Sequence, residues 1–71
     1  MAEIRRDPLL PKNAPPALIR YTVLAALAEA RRNPRETYTV PAKGWGHPAR
    51  VIAPMFDHAP MNVQLPYEFM Y

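Results

Sequence analysis

Residues 13–34 read NAPPALIRYTVLAALAEARRNP, and this stretch decides the fold class because it predicts one helix with clear ends. Asn13 suits the N-cap, and the prolines after it suit a first turn, where backbone amide donors have no partner within the helix. At the other end a pair of arginines complements the helix dipole, Asn33 suits the C-cap, and Pro34 forbids continuation. We therefore predict a helix over about residues 14–33.

One face of this helix is apolar. At about 3.6 residues per turn, Ile19, Val23 and Leu27 lie on the same side, together with small alanines that permit close approach of another element. Two interpretations stay open. The face is either a core stripe covered by residues 38–56 of the same chain or a surface that binds a partner.

The segment before the helix, residues 1–13, is predicted to be an extended N-terminal arm. Its prolines push the residues before them toward extended backbone geometry. Leu9 and Leu10 stand between two prolines and would otherwise face water, so they are the candidate anchor of this arm. They either bind a partner or fold back on the chain's own helix.

The segment after the helix, residues 34–71, is interrupted by a proline at least every seventh position, which disfavours long strands and further helices. Residues 37–40 and 50–53 are rich in β-branched and aromatic side chains, so they permit a short β-hairpin over about residues 37–53. The predicted fold class is therefore mainly irregular, with one α-helix, this short hairpin as an option, and extended proline-rich N- and C-terminal arms.

Three aromatic residues outside the helix are candidate partner-binding residues. Trp45 lies between two glycines, a setting in which an indole is either presented as an interface anchor or folded inward as a core residue. Phe69 and Tyr71 belong to an apolar tail of a kind that seldom stays free in water, so we expect burial by the chain itself or by a neighbour.

Composition limits the classes of protein that fit. The chain has 71 residues, a net charge of +3 and no cysteine, which allows one domain and excludes disulfides and thiolate metal sites. Nearly half of the residues are apolar, too many for a typical disordered tail. No stretch approaches the roughly 20 apolar residues that span a bilayer. Without a targeting signal, the expected location is intracellular or within a virion or particle.

The chemistry of an enzyme is sparse. The chain contains neither serine nor cysteine, the two commonest nucleophiles of acyl transfer. His47, Asp57 and His58 form the one group that resembles an acid–base or metal site, and adjacent side chains in extended backbone point to opposite faces. We therefore predict no catalytic residues, no metal and no cofactor.

Nucleic acid is the main rival partner. Arginines are the candidate phosphate contacts, and they are scattered and diluted by acids rather than clustered as a dedicated basic patch would be. The candidates are Arg5, Arg6, Arg31, Arg32 and Arg35.

The sequence therefore predicts a non-catalytic structural or assembly subunit that docks its helix and arms onto the larger protein subunits of a virion, a ribonucleoprotein particle or a multi-subunit enzyme. The first alternative is a small basic protein that contacts nucleic acid, as a secondary partner or as its main role. The second is a small regulator that inserts its tail into an enzyme.

Overall fold

Three very short parallel strands form the sheet of this chain. A computed structural model describes residues 2–70. Its strands are β1 (Ala2–Glu3), β2 (Tyr38–Thr39) and β3 (Val63–Gln64), with β2 in the centre. Ala2 lies opposite Tyr38, which in turn lies opposite Val63. Parallel strands cannot be joined by a tight turn, so each neighbouring pair is connected by a crossover.

Helix α1 (Pro16–Arg32) makes the first crossover, from β1 to β2. It begins two residues later than predicted, because Pro16 disfavours helical geometry in the residue before it, and Pro15 accordingly has an extended backbone (φ −67°, ψ 156°). Asn13 is therefore not the N-cap. The predicted end is confirmed: Asn33 is the C-cap, and its backbone N–H donates to the carbonyl of Ala30 over 3.1 Å.

The second crossover, from β2 to β3, contains a short helix α2 (Ala49–Ile52) followed by a 3₁₀ turn (Ala53–Phe56). The predicted hairpin over residues 37–53 is thus wrong: residues 38–39 form a strand, but it pairs in parallel with β1 and β3, and residues 50–53 are helical. Pro48 provides an extended N-cap for a helical turn, and the backbone N–H groups of the next residues fold back onto its carbonyl. Local capping and burial of Ile52 therefore outweigh the β propensity of this segment.

The core lies between α1, the sheet and an aromatic cluster. Trp45 and Phe56 meet edge to face with ring centroids 5.9 Å apart, and Phe56 meets Phe69 at 5.8 Å. Such contacts are favourable arrangements for aromatic pairs. The other buried side chains come from α1, from the strands and their flanks, and from α2: Ile4, Ala14, Ile19, Val23, Leu27, Ala30, Tyr38, Val40, Ile52 and Val63.

The side-chain amide of Asn62 joins the end of α1 to the sheet. Its Nδ2 donates toward the carbonyl oxygens of Ala30 (2.9 Å), Asn33 (3.0 Å) and Glu36 (2.9 Å). The backbone carbonyl of the same residue accepts from the N–H of Tyr38 in β2. One side chain thus links the end of α1 and the turn after it to the start of β3.

Extended arms are not seen. Most of the chain is irregular, as predicted, but its Cα radius of gyration is 11.4 Å, close to the about 11 Å expected for a compact domain of this length. Residues at both ends of the described chain, including Ile4 and Phe69, are buried in the core. None of the helices within residues 2–70 is long and apolar enough to cross a membrane.

Candidate protein-docking surface

The predicted binding face of α1 is the inner face of the helix. Ile19, Val23 and Leu27 are almost completely buried by the chain's own sheet and loops. Of the two interpretations left open by the sequence, the core stripe is the one that the fold shows. These three residues are therefore not accessible to a partner of the folded chain.

The aromatic candidates are also enclosed. Trp45 is 1% exposed, and its indole N–H donates to the carbonyl of Pro41 over 2.8 Å. A positive φ at each flanking glycine, Gly44 and Gly46, lets the loop turn this side chain inward. Phe69 is buried beside Phe56, whereas Tyr71 lies outside the described residues.

The two leucines of the N-terminal segment have different environments. Leu10 is partly buried against the core, so it folds back on the chain, whereas Leu9 is 91% exposed. Leu9 nevertheless lies in an ordered turn: its N–H donates to the Asp7 carboxylate over 2.9 Å, and Arg6 donates to the carbonyls of Leu10 and Pro11. An exposed leucine on a fixed turn is a suitable contact for another protein.

The candidate arginines fall into two separate groups. Arg5 follows β1 and Arg35 precedes β2, and because these strands are parallel the two residues lie at opposite ends of the sheet. Arg5 pairs with the Glu3 carboxylate at 3.0 Å, and Arg31 donates to the carbonyl of His58 at 3.0 Å. Arg32 and Arg35 line a shallow depression beyond the end of α1. The fold therefore does not bring all five arginines into one basic patch.

The outer face of α1 is apolar as well, and the sequence prediction missed it. Leu18 (40% exposed), Tyr21 (72%) and Leu24 (47%) are large side chains that remain open to solvent. At 100° per residue, Leu18 and Tyr21 fall with two exposed alanines, Ala25 and Ala28, within an arc of about 80°. The signal was present in the sequence: Arg20 is the only charged residue from position 17 to 28, so the helix is apolar nearly all round.

A groove lies beside this face, between the first turns of α1 and residues 51–55. It is lined by Pro16, Ala17, Arg20, Val51, Pro54 and Met55.

 The volume of this groove is about 280 Å³. Four of its six lining side chains are apolar and larger than alanine: Pro16, Val51, Pro54 and Met55. Arg20 is exposed, and within residues 2–70 its guanidinium makes no hydrogen bond or ion pair. The groove therefore combines apolar walls with one cation that has no partner in the described chain.

The histidines and Asp57 do not form a common site. His47 lies 2.7 Å from the carbonyl of Ala14 through Nε2, in a partly buried position. Asp57 and His58 are exposed on a turn, where His58 has a positive φ of 63°. Within the described part of the chain, no three His, Cys, Asp or Glu side chains are grouped so that they could hold a metal ion.

Comparison of the chain with models of known protein families, with curated proteins and with solved structures finds no match. A functional hypothesis therefore has to come from the surfaces described above.

Proposed function

We propose that this chain is a non-catalytic structural or assembly subunit that docks the outer face of α1 onto a larger protein assembly. A virion, a ribonucleoprotein particle and a multi-subunit enzyme are the kinds of assembly that such a subunit serves. The observation that carries the proposal is the contiguous exposed apolar face formed by Leu18, Tyr21 and Leu24 with the alanines beside them.

This face has the spacing that helix-in-groove recognition uses. Leu18, Tyr21, Ala25 and Ala28 follow one another at intervals of three or four residues, and they extend over about 15 Å of the helix axis. Soluble monomers usually scatter their exposed apolar side chains singly, whereas a contiguous patch marks an interaction site. The alanines allow the backbone of a partner to approach closely, and the large side chains supply anchors.

The mode of docking differs from the one expected from the sequence. Extended arms that are not packed on their own chain would still have to be ordered on binding, at a cost in conformational entropy. Here α1 is already fixed by its buried inner face, and Leu9 is held on a turn. A preformed surface loses little freedom on association, so modest contact area still gives useful affinity.

Site-specific photo-crosslinking tests the proposal in the cells that produce the chain. A benzophenone amino acid replaces Tyr21 in one variant and Tyr67 in the control, two tyrosines with similar exposure (72% and 68%). We expect Tyr21→benzoylphenylalanine to crosslink to one protein that co-sediments with the chain in a large assembly, and the control to give little of that product. Equal crosslinking at both positions, or none at position 21, would show that the outer face of α1 does not dock.

The nucleic-acid alternative has one supporting observation, the exposed group Arg32 and Arg35 beyond the end of α1. Phosphate contacts release counterions, so nucleic-acid binding must weaken steeply as salt increases. The regulator alternative requires a free tail, whereas Phe69 is buried in the core. The exposed apolar face of α1 therefore favours docking of the helix onto a protein assembly over both alternatives.

A further inference from the structure

We propose that the groove between α1 and residues 51–55 is the seat of a protein segment that carries a large apolar side chain next to a carboxylate. This inference rests on the proposed function, because it assigns the chemistry of the partner that docks on α1. The apolar side chain enters the groove, and the carboxylate binds the guanidinium of Arg20.

The size and walls of the groove fit one large side chain. Its volume is about 280 Å³, and a cavity of roughly 150 Å³ is enough to hold benzene. Val51 and Met55 form the floor, since both are partly buried against the core. Methionine is flexible and polarizable, so it adapts to the shape of an inserted aromatic or aliphatic group.

The frame of the groove is rigid. Pro16 begins α1, and Pro54 lies in the 3₁₀ turn that packs against the same helix. Proline fixes φ, so neither wall has much freedom to lose when a ligand binds. A site that is already formed binds with a smaller entropic cost than one that must be ordered.

The charge at the groove selects an acidic partner. Arg20 is the only ionisable residue among its lining residues. The one acid of α1, Glu29, is nine residues further along, about 14 Å along the axis. For the opposite wall, residues 51–55, the nearest acidic residue in the sequence is Asp57, and it lines a different depression together with Arg50. The Arg20 guanidinium has no partner among residues 2–70, and it presents a planar fork of donors that matches a carboxylate in bidentate geometry.

The α1 helix of a second copy does not supply this chemistry. The exposed side of α1 carries Arg20, Arg31 and Arg32 against the single acid Glu29. Two such helices would therefore bring like charges together, which is unfavourable at an interface. Charge complementarity points to a different protein whose contact segment is acidic and apolar.

The groove is continuous with the outer face of α1. Ala17 lines the groove, and Leu24 follows it seven residues later on the same side of the helix. A partner segment that is anchored in the groove therefore reaches Leu24 and Tyr21 without a change of direction along α1.

Titration of the full-length, ¹⁵N-labelled chain with small peptides tests the assignment by NMR. The probes are acetyl-Phe-Glu-amide, acetyl-Phe-Lys-amide and acetyl-Gly-Glu-amide, each at up to millimolar concentration. We expect saturable shift changes at Val51, Met55 and the Arg20 Nε–H with the Phe-Glu probe, and at least threefold weaker binding of the other two. The variant R20Q should retain binding of both Phe probes and lose the preference for Glu over Lys.

Three results would overturn the inference: no saturable change at the groove, equal binding of the Glu and Lys probes, or an unchanged preference in R20Q. Tighter binding of an octauridylate at Arg20 than of any peptide would assign the site to nucleic acid instead. These outcomes are independent of the crosslinking at Tyr21, because a partner can dock on the outer face without using the groove. Conversely, the loss of crosslinking at Tyr21 refutes the proposed function whatever the peptides do.

Discussion

The side-chain amide of Asn62 provides the sharpest test of the fold, because it connects the end of α1 to β3 through three carbonyl oxygens at 2.9–3.0 Å. An amide group has two N–H hydrogens, so at most two of these contacts are full hydrogen bonds. Each contributes a net stabilisation of about 0.5–1.5 kcal/mol. We therefore expect Asn62→Ala to reduce the free energy of unfolding by about 2 kcal/mol.

Asn62→Asp should be worse than Asn62→Ala at neutral pH. A carboxylate only accepts hydrogen bonds, and here it would face carbonyl oxygens at the negative end of the helix dipole. Folding then disfavours the charged form and raises the pKa of the introduced carboxyl above its ordinary value of about 3.9. The penalty is therefore absent below the unfolded-state pKa and grows as pH rises through the folded-state pKa.

Urea unfolding measures both effects, with far-UV circular dichroism reporting α1 and fluorescence reporting Trp45. The deficit of each variant is taken against the parent chain at the same pH, at about pH 4 and pH 7. Gln64→Ala is the matched control, since Gln64 is an exposed residue of β3 two positions after Asn62. A loss below about 0.5 kcal/mol for Asn62→Ala, or a deficit of Asn62→Asp that does not shrink in acid, would refute this account of the helix end.

Other positions give further checks. Gly46→Ala should reduce the free energy of unfolding more than Gly44→Ala. Both glycines have positive φ, but a Cβ at position 46 would lie 3.1 Å from a backbone carbonyl oxygen, whereas a Cβ at position 44 would meet no atom within 4 Å. Urea unfolding of the two variants measures the difference, and equal losses would contradict the close approach at position 46. Trp45 should give a blue-shifted fluorescence emission in the isolated chain, because the chain buries this side chain by itself. An emission typical of exposed indole would contradict its place in the core. Leu27→Ala should reduce the free energy of unfolding by about 2–5 kcal/mol and Leu18→Ala by about 1 kcal/mol or less, since Leu27 is buried and Leu18 is partly exposed. If thermal unfolding gave the reverse order, the helix faces would be wrongly assigned.

The short second helix shows why part of the fold was not predictable. Val51 and Ile52 have β-branched side chains that favour strands, as do those of residues 37–40, and this shared propensity suggested that the two segments pair. The chain instead pairs β2 with β1 and β3, which are more than 20 residues away in sequence. Strand pairing at such separations depends on which apolar surfaces can be buried together, and local propensity carries little information about it.

The candidate site illustrates the same limit. The sequence correctly predicted α1, and it named Leu9 with Leu10 as the anchor of an arm. It assigned the docking role on the helix to Ile19, Val23 and Leu27, which are buried. A helix that is apolar on both sides has no single face that periodicity can choose.

By itself, the sequence determined where α1 ends and that the rest of the chain is mostly irregular, because caps and prolines act on the residues next to them. Only the tertiary structure decided that the strands are parallel, that Trp45 is internal and that Leu18 and Tyr21 face solvent. These features depend on competition between surfaces for the same small core. A domain of this size can bury one side of α1, and the other side is left exposed.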